Sequence, residues 1–307
     1  MKMSSKPFGS DYDRFEFPCR IERVTAGHGG EALLILGSEK NALLDCGMAY
    51  CGPKTVNNIL KACSSLDYIL LSHSHYDHIG ALPYIREAFP QAVVCGSEKC
   101  SRVLPRENAH RLMKELGTAA RDLYDPDSAE EIRTDGLSVD RVLKDGDVIS
   151  LGRETITAYE TKGHTDCSMS YMLEPVRLLF TSESTGILEG ENYIHTPLLK
   201  SFSQGLESLE KCRRLNREYI CLPHYGMLPG NIGSSFFDMF RQECDSKAGF
   251  VWEMVSEGLS REEMLKQYIK RYWKPEKLEE QPFEAFEINS GHILDALIRY
   301  IGESENV

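Results

Sequence analysis

The run Leu71-Ser72-His73-Ser74-His75-Tyr76-Asp77-His78-Ile79-Gly80 constrains this chain more than any other segment. It sets three imidazoles and a carboxylate within six residues, directly after the apolar stretch Tyr68 to Leu71. A short apolar run that ends in such a cluster reads as a buried strand delivering its last residues to a sheet edge. Side chains crowded there are placed to meet around a cation. Neutral imidazole and carboxylate suit zinc, iron or manganese, and the absence of cysteine from the cluster argues against a closed structural zinc knot.

Three later segments repeat the pattern, each with a ligand-type residue just beyond a short apolar strand. Gly163-His164-Thr165-Asp166 follows Thr155 to Glu160, Thr181-Ser182-Glu183-Ser184 follows Leu178 to Phe180, and Pro223-His224-Tyr225-Gly226 follows Tyr219 to Leu222. Taken singly, His164 or His224 would be an ordinary surface or core histidine. Side chains leaving neighbouring strands at one sheet edge converge, which scattered histidines would not do.

Strand and helix signals alternate through most of the chain. Strands are expected at Arg20 to Thr25, Ala32 to Leu36, Asn41 to Leu44, Tyr68 to Leu71, Ala92 to Cys95, Ser138 to Leu143, Val148 to Ser150, Thr155 to Glu160, Ser168 to Leu173, Val176 to Phe180 and Tyr219 to Leu222. Helices are expected at Lys54 to Cys63, Leu82 to Ala88 and Phe202 to Leu215, with a polar helical stretch from Arg106 to Arg133, interrupted at Tyr124-Asp125-Pro126-Asp127, that reads as an inserted lid or a solvated excursion. The chain after Gly186 reads as a loop through Tyr193-Ile194-His195. Beyond Ser234 the pattern is helical: Phe236 to Glu243, Phe250 to Glu257, Arg261 to Trp273 and Ser290 to Gly302. The expected domains are therefore 1–230, with 106–133 as a helical insertion, and a helical region 231–307.

With 307 residues, 41% of them hydrophobic, there is material for one large core and an appendage. The net charge of −12 repels polyanions, so a nucleic-acid partner is not expected. The segment MKMSSKPFGSDYDRFEF has no apolar core of an export signal, and no stretch approaches about eighteen uninterrupted apolar residues. A cytoplasmic protein with no membrane partner is the expectation. Ten cysteines without CxxC pairs fit reduced thiols better than a disulfide frame.

HSHYDH is a full copy of an HxHxDH motif, followed in order by a Gly-His, an acidic residue and another His. On these residues the chain from about 16 to 230 resembles the metallo-β-lactamase superfamily. The resemblance implies an α/β fold, a four-layer αββα sandwich, here with a C-terminal helical extension. It implies that His73, His75 and His164 hold one metal and that Asp77, His78 and His224 hold a second. Two divalent ions are expected, zinc foremost, with iron or manganese open. Where the family usually places a bridging Asp in a TGD segment, this chain has Thr181-Ser182-Glu183; a Glu bridge must accommodate one more methylene. Asp45 corresponds to an Asp the family commonly keeps beneath the site, or is simply a turn residue before Gly47.

The reaction implied is hydrolysis by a metal-bound hydroxide, with Asp77 as the catalytic group that orients the nucleophile while ligating. A small ester or thioester is the leading substrate, with a lactone or phosphodiester as alternatives. An iron-dependent oxygenase or oxidoreductase, or a binding or regulatory protein that retains its metals, stands as the other class. Cys167 has no evident local base and is not expected to be a nucleophile. Tyr225 either faces an oxyanion or packs on the body, and Tyr193 and His195 are substrate-side candidates. His28, His110 and His292 have no ligand partner in sequence. The partner expected is a small-molecule substrate; a homodimer is left open, with the helical tail as a wall, a dimer surface or packing.

Overall fold

One strand shows why two sheets and two helical layers form. In Leu33–Leu36 (β2), Leu33 and Ile35 enter one apolar cluster while Leu34 and Leu36 enter another, so both faces of the strand are buried. A strand alternates its side chains at every residue. A continuous apolar run therefore demands cover on both sides. In this computed structural model, which describes residues 17–189, 193–228, 235–274 and 283–304, a second sheet covers one face and helices cover the other.

The first sheet runs β1 (Ile21–Arg23), β2, β3 (Asn41–Leu44), β4 (Tyr68–Leu70), β5 (Val93–Ser97) and β6 (Arg141–Leu143) in spatial as well as chain order. Its first three strands pair antiparallel, and β3 to β6 pair parallel. The second sheet has the order β14 (Gly226–Met227), β13 (Tyr219–Leu222), β10 (Leu178–Phe180), β9 (Met169–Glu174), β8 (Thr155–Glu160) and β7 (Val148–Ser150). Only the β10 and β13 pair in it is parallel.

Leu33, Ile35, Leu44 and Leu70 from the first sheet meet Ile156, Tyr171, Leu178 and Phe180 from the second to form the inter-sheet core. The outer face of the first sheet packs against α1 (Gly52–Ala62), α3 (Leu82–Ala88), α4 (Glu98–Val103) and α5 (Glu107–Tyr124). The outer face of the second packs against α6 (Phe202–Arg214) and the C-terminal helices Phe236–Ser256, Arg261–Tyr272 and Phe283–Ser304. The result is the four-layer αββα sandwich with a C-terminal helical region.

Several elements differ from the sequence expectation. Phe236–Ser256 is one helix where two were expected around Gly249. A Cβ at Gly249 would meet nothing within 4 Å, and Cys244, Lys247 and Val251 carry the buried face straight through. A single exposed glycine costs a helix about 1 kcal/mol, which this packing outweighs. The polar helical stretch ends at Tyr124 rather than Arg133, stopped at Asp125-Pro126, and Ile132 folds back under Gly117. The loop after Gly186 is a hairpin, β11 (Ile187–Glu189) on β12 (Tyr193–His195). The expected division at 230/231 lies outside the described residues. No helix among the described residues is long and apolar enough to cross a membrane.

Candidate metal centre

Five strands bring their C-terminal ends to one edge of the sandwich. Asp45 follows β3, the cluster His73 to His78 follows β4, His164 follows β8, Glu183 follows β10 and His224 follows β13. The HSHYDH segment is held by backbone bonds at both ends. Leu71 N–H donates to Cys95 O at 2.9 Å, and the single turn Tyr76–Ile79 (α2) is tied by His78 and Ile79 N–H to His75 O at 3.1 Å. Asp45 and His224 both sit at positive φ, +54° and +59°. A left-handed backbone at a non-glycine residue costs about 1–3 kcal/mol and persists only where the surroundings hold it. Here it aims two side chains inward.

The structure brings all seven ligand-type residues singled out in the sequence to one point. Glu183 lies at the middle. Its Oε1 is 3.0 Å from His78 Nε2, 3.3 Å from His224 Nε2 and 3.5 Å from His73 Nε2, and its Oε2 is 3.3 Å from His164 Nε2. Asp77 Oδ2 is 3.6 Å from His78 Nε2 and 3.7 Å from His224 Nε2. His75 Nδ1 is 3.0 Å from His164 Nε2. Three groups of donor atoms lie within 4.8 Å of one another: His73, His75 and His164; His73, His78 and Glu183; Asp77, His78 and His224.

The outward nitrogens explain what the inward ones are for. His78 Nδ1–H donates to Asp45 Oδ2 at 2.8 Å, His164 Nδ1–H to Pro197 O at 2.6 Å, and His224 Nδ1–H to Gly29 O at 2.7 Å. His73 Nδ1 is 2.9 Å from Ser72 Oγ. With Nδ1 as donor, each neutral ring presents a lone pair at Nε2 toward the centre. Lone pairs facing one another repel unless a cation lies among them. His73 Nε2 is buried with no hydrogen-bond partner, an arrangement native proteins avoid unless something else satisfies the atom. The donor set fits divalent cations held by imidazole and carboxylate.

Without a cation the charges arrange themselves differently. Burial lowers His73 well below the usual imidazole range and takes His75 down to about 4. Burial also opposes a charge on His78 and His224, but the carboxylates of Asp77 and Asp45 for His78, and of Glu183 for His224, outweigh it and raise both. Burial opposes the Glu183 carboxylate too, and the surrounding His164, His224 and His78 more than reverse this, holding it well below its usual range. In the metal-free fold the raised histidines add stability in full below about pH 6.5, their unfolded value, and lose it as pH rises through the folded one. Metal requires them neutral. Zinc uptake is therefore expected to release protons and to weaken as pH falls. Calorimetric titration in buffers of different ionisation enthalpy measures this; buffer-independent heats would show that no proton is displaced.

Tyr225 belongs to the buried apolar cluster under the C-terminal helices. His195 lies in the hairpin opposite Ile187, while the Tyr193 side chain lies outside the described residues. His110 is on α5 and His292 on the last helix. His28 stacks on Tyr124 at 5.4 Å, so the end of α5 rests on the loop whose Gly29 carbonyl orients His224. Buried Cys167 donates to Ser74 Oγ at 3.3 Å, and a hydrogen bond from Cys100 pulls its thiol down to about 6. Sequence reasoning missed Ser72, Gly29 and Pro197. Two of these act through backbone carbonyls, which carry no residue signature. Gly30 was missed too: a Cβ there would lie 1.5 Å from Asp77 O, so only glycine lets this loop close against the cluster.

Residues 26–224 match the family model described as Metallo-beta-lactamase superfamily. The chain is 25% identical over 224 residues to a metallo-beta-lactamase fold-containing protein of Sulfurisphaera tokodaii, covering 70% of this chain and 82% of that one. It is 24% identical over 192 residues to an atrochrysone carboxyl ACP thioesterase of Aspergillus fumigatus, covering 58% of this chain and half the length of the relative, 50%. Among solved structures, a subclass B3 metallo-beta-lactamase of Bradyrhizobium japonicum superposes with a TM-score of 0.52 at 18% identity, over 76% of this chain and 93% of the other.

Proposed function

Since the chain belongs to the metallo-β-lactamase superfamily, we propose that it is a metal-dependent hydrolase of a small ester or thioester, working with two divalent ions of which zinc is the first candidate. One observation carries the reading: donor atoms from four strand ends face one another at 3.0 to 3.7 Å, with the outer nitrogens of His78, His164 and His224 tied to protein acceptors. His73, His75 and His164 would hold one ion and Asp77, His78 and His224 the other, with Glu183 between them. When bound, such ions lower the pKa of water from about 16 to about 7 and polarise the oxygen of the bond to be cut.

The protein's own groups then do the placing. Asp77 is 18% exposed, against 7% for Glu183, so its carboxylate stands at the solvent side and accepts a hydrogen bond from the water that attacks. Asp45, Pro197 and Gly29 hold the imidazoles so that no reorganisation is needed during the reaction. The thioesterase of Aspergillus fumigatus among the relatives supports the choice of acyl substrate.

The test is elemental analysis of freshly purified protein together with a panel of ester, thioester, lactone and phosphodiester substrates, with His75→Ala as control. Zinc content and acyl hydrolysis that falls at least about a hundredfold in the control are expected. Iron content with oxygen consumption, turnover confined to phosphodiesters, or equal activity in the control would each overturn the proposal.

A further inference from the structure

Lys247 is wholly buried on the inward face of the helix Phe236–Ser256, far along the chain from every ligand-type residue. Burying an ammonium is costly unless its protons find partners, and an apolar residue of the same size often serves stability as well or better. Its Nζ donates to Thr196 Oγ1 at 2.9 Å, lies 3.6 Å from Glu243 Oε1 and stands 4.9 Å from the centre of the Tyr272 ring. Thr196 is itself fully buried.

The next residue explains why this contact matters. Pro197 O accepts the Nδ1–H of His164 at 2.6 Å, and Leu198 N–H donates to Thr196 O at 2.8 Å, closing a tight turn around that carbonyl. Lys200 and Ser201 N–H then donate to Gly163 O at 3.0 and 3.1 Å, so the segment 196–201 clamps the residue before His164 as well. Proline cannot donate through its own nitrogen, so the anchoring of its carbonyl depends on its neighbours. The same helix seats Phe240 against Gly186, where a Cβ would come within 2.4 Å of the ring, three residues after Glu183.

We infer that Lys247 is a positioning residue for the centre: through Thr196 it fixes the Pro197 carbonyl, and with it the tautomer and direction of His164. The C-terminal helices thus set the geometry of one half of the site. This rests on the reading that His164 helps to hold a cation.

The experiment titrates zinc and cobalt(II) into the metal-free full chain and into Lys247→Met, Thr196→Val and the double variant. Met keeps the volume of the lysine stem, and Glu243, 28% exposed, remains hydrated when its neighbour is neutral. Each single variant is expected to bind one ion about tenfold more weakly, with the other ion unaffected and the visible spectrum of bound cobalt(II) altered. The double variant should lose no more than the worse single one, because both remove the same hydrogen bond. Thr196→Val preserves side-chain shape and decides the matter if Lys247→Met does not fold. Wild-type affinities and spectra in the folded variants, whatever happens to the melting temperature, would overturn the inference. A wild type that takes up neither ion would instead overturn the reading of the centre itself.

Discussion

Glu183→Gln should lower turnover at least about a hundredfold and cost the protein one ion more than the other. The reason is the division of labour between its two oxygens. Oε1 faces His78, His224 and His73 at 3.0 to 3.5 Å, while Oε2 faces His164 at 3.3 Å. An amide keeps one acceptor and turns an NH2 group toward imidazole lone pairs, which then repels any cation on that side. The charge lost is one that four imidazoles surround, those of His73, His78 and His164 buried and that of His224 half-buried, in a setting where electrostatic terms are weakly screened. Elemental analysis beside kcat/KM measures both effects. Equal retention of the two ions would show that Glu183 does not lie between them.

Asp45→Asn carries the second large effect although the residue faces no substrate. Its Oδ1 accepts Ser72 N–H at 2.7 Å and its Oδ2 accepts His78 Nδ1–H at 2.8 Å. An amide has one acceptor for these two buried donors. Leaving one unpaired costs about 1–3 kcal/mol in stability. Metal affinity is expected to fall about 10- to 100-fold, because His78 loses the partner that fixes its tautomer. Asn tolerates the left-handed backbone at φ +54° as well as Asp does, so strain is not a confounding cause. Denaturant melts of the metal-free protein and zinc titration of the folded one separate the two losses. Unchanged zinc affinity would remove Asp45 from the centre.

The ligand-type residues were legible because each sits at the end of a short strand, where an apolar run gives way to polar residues. Tyr68 to Leu71 before His73, and Tyr219 to Leu222 before His224, carry that signal without any help from distant contacts. What holds the ligands was far less legible. Asp45 could be read either as a turn residue or as a partner of the site, and only the 2.8 Å contact with His78 decides. Pro197 and Gly29 contribute carbonyls, and a carbonyl is the same in every residue. The unbroken helix Phe236–Ser256 was hidden because Gly249 weakens the local helical signal while the buried face that sustains it, Cys244, Lys247 and Val251, depends on tertiary packing. Local chemistry speaks in the sequence; the braces that aim it do not.

The two sheets contribute unequally spaced parts of one centre, His73 to His78 from the first and His164, Glu183 and His224 from the second. On a ribosome the first group emerges long before the last, with about 150 residues of chain between His73 and His224 still to come. A nascent chain can therefore display its histidine cluster for seconds without a complete cage around it. Capture of a cation becomes a late event, a signature that both halves have been made and have docked.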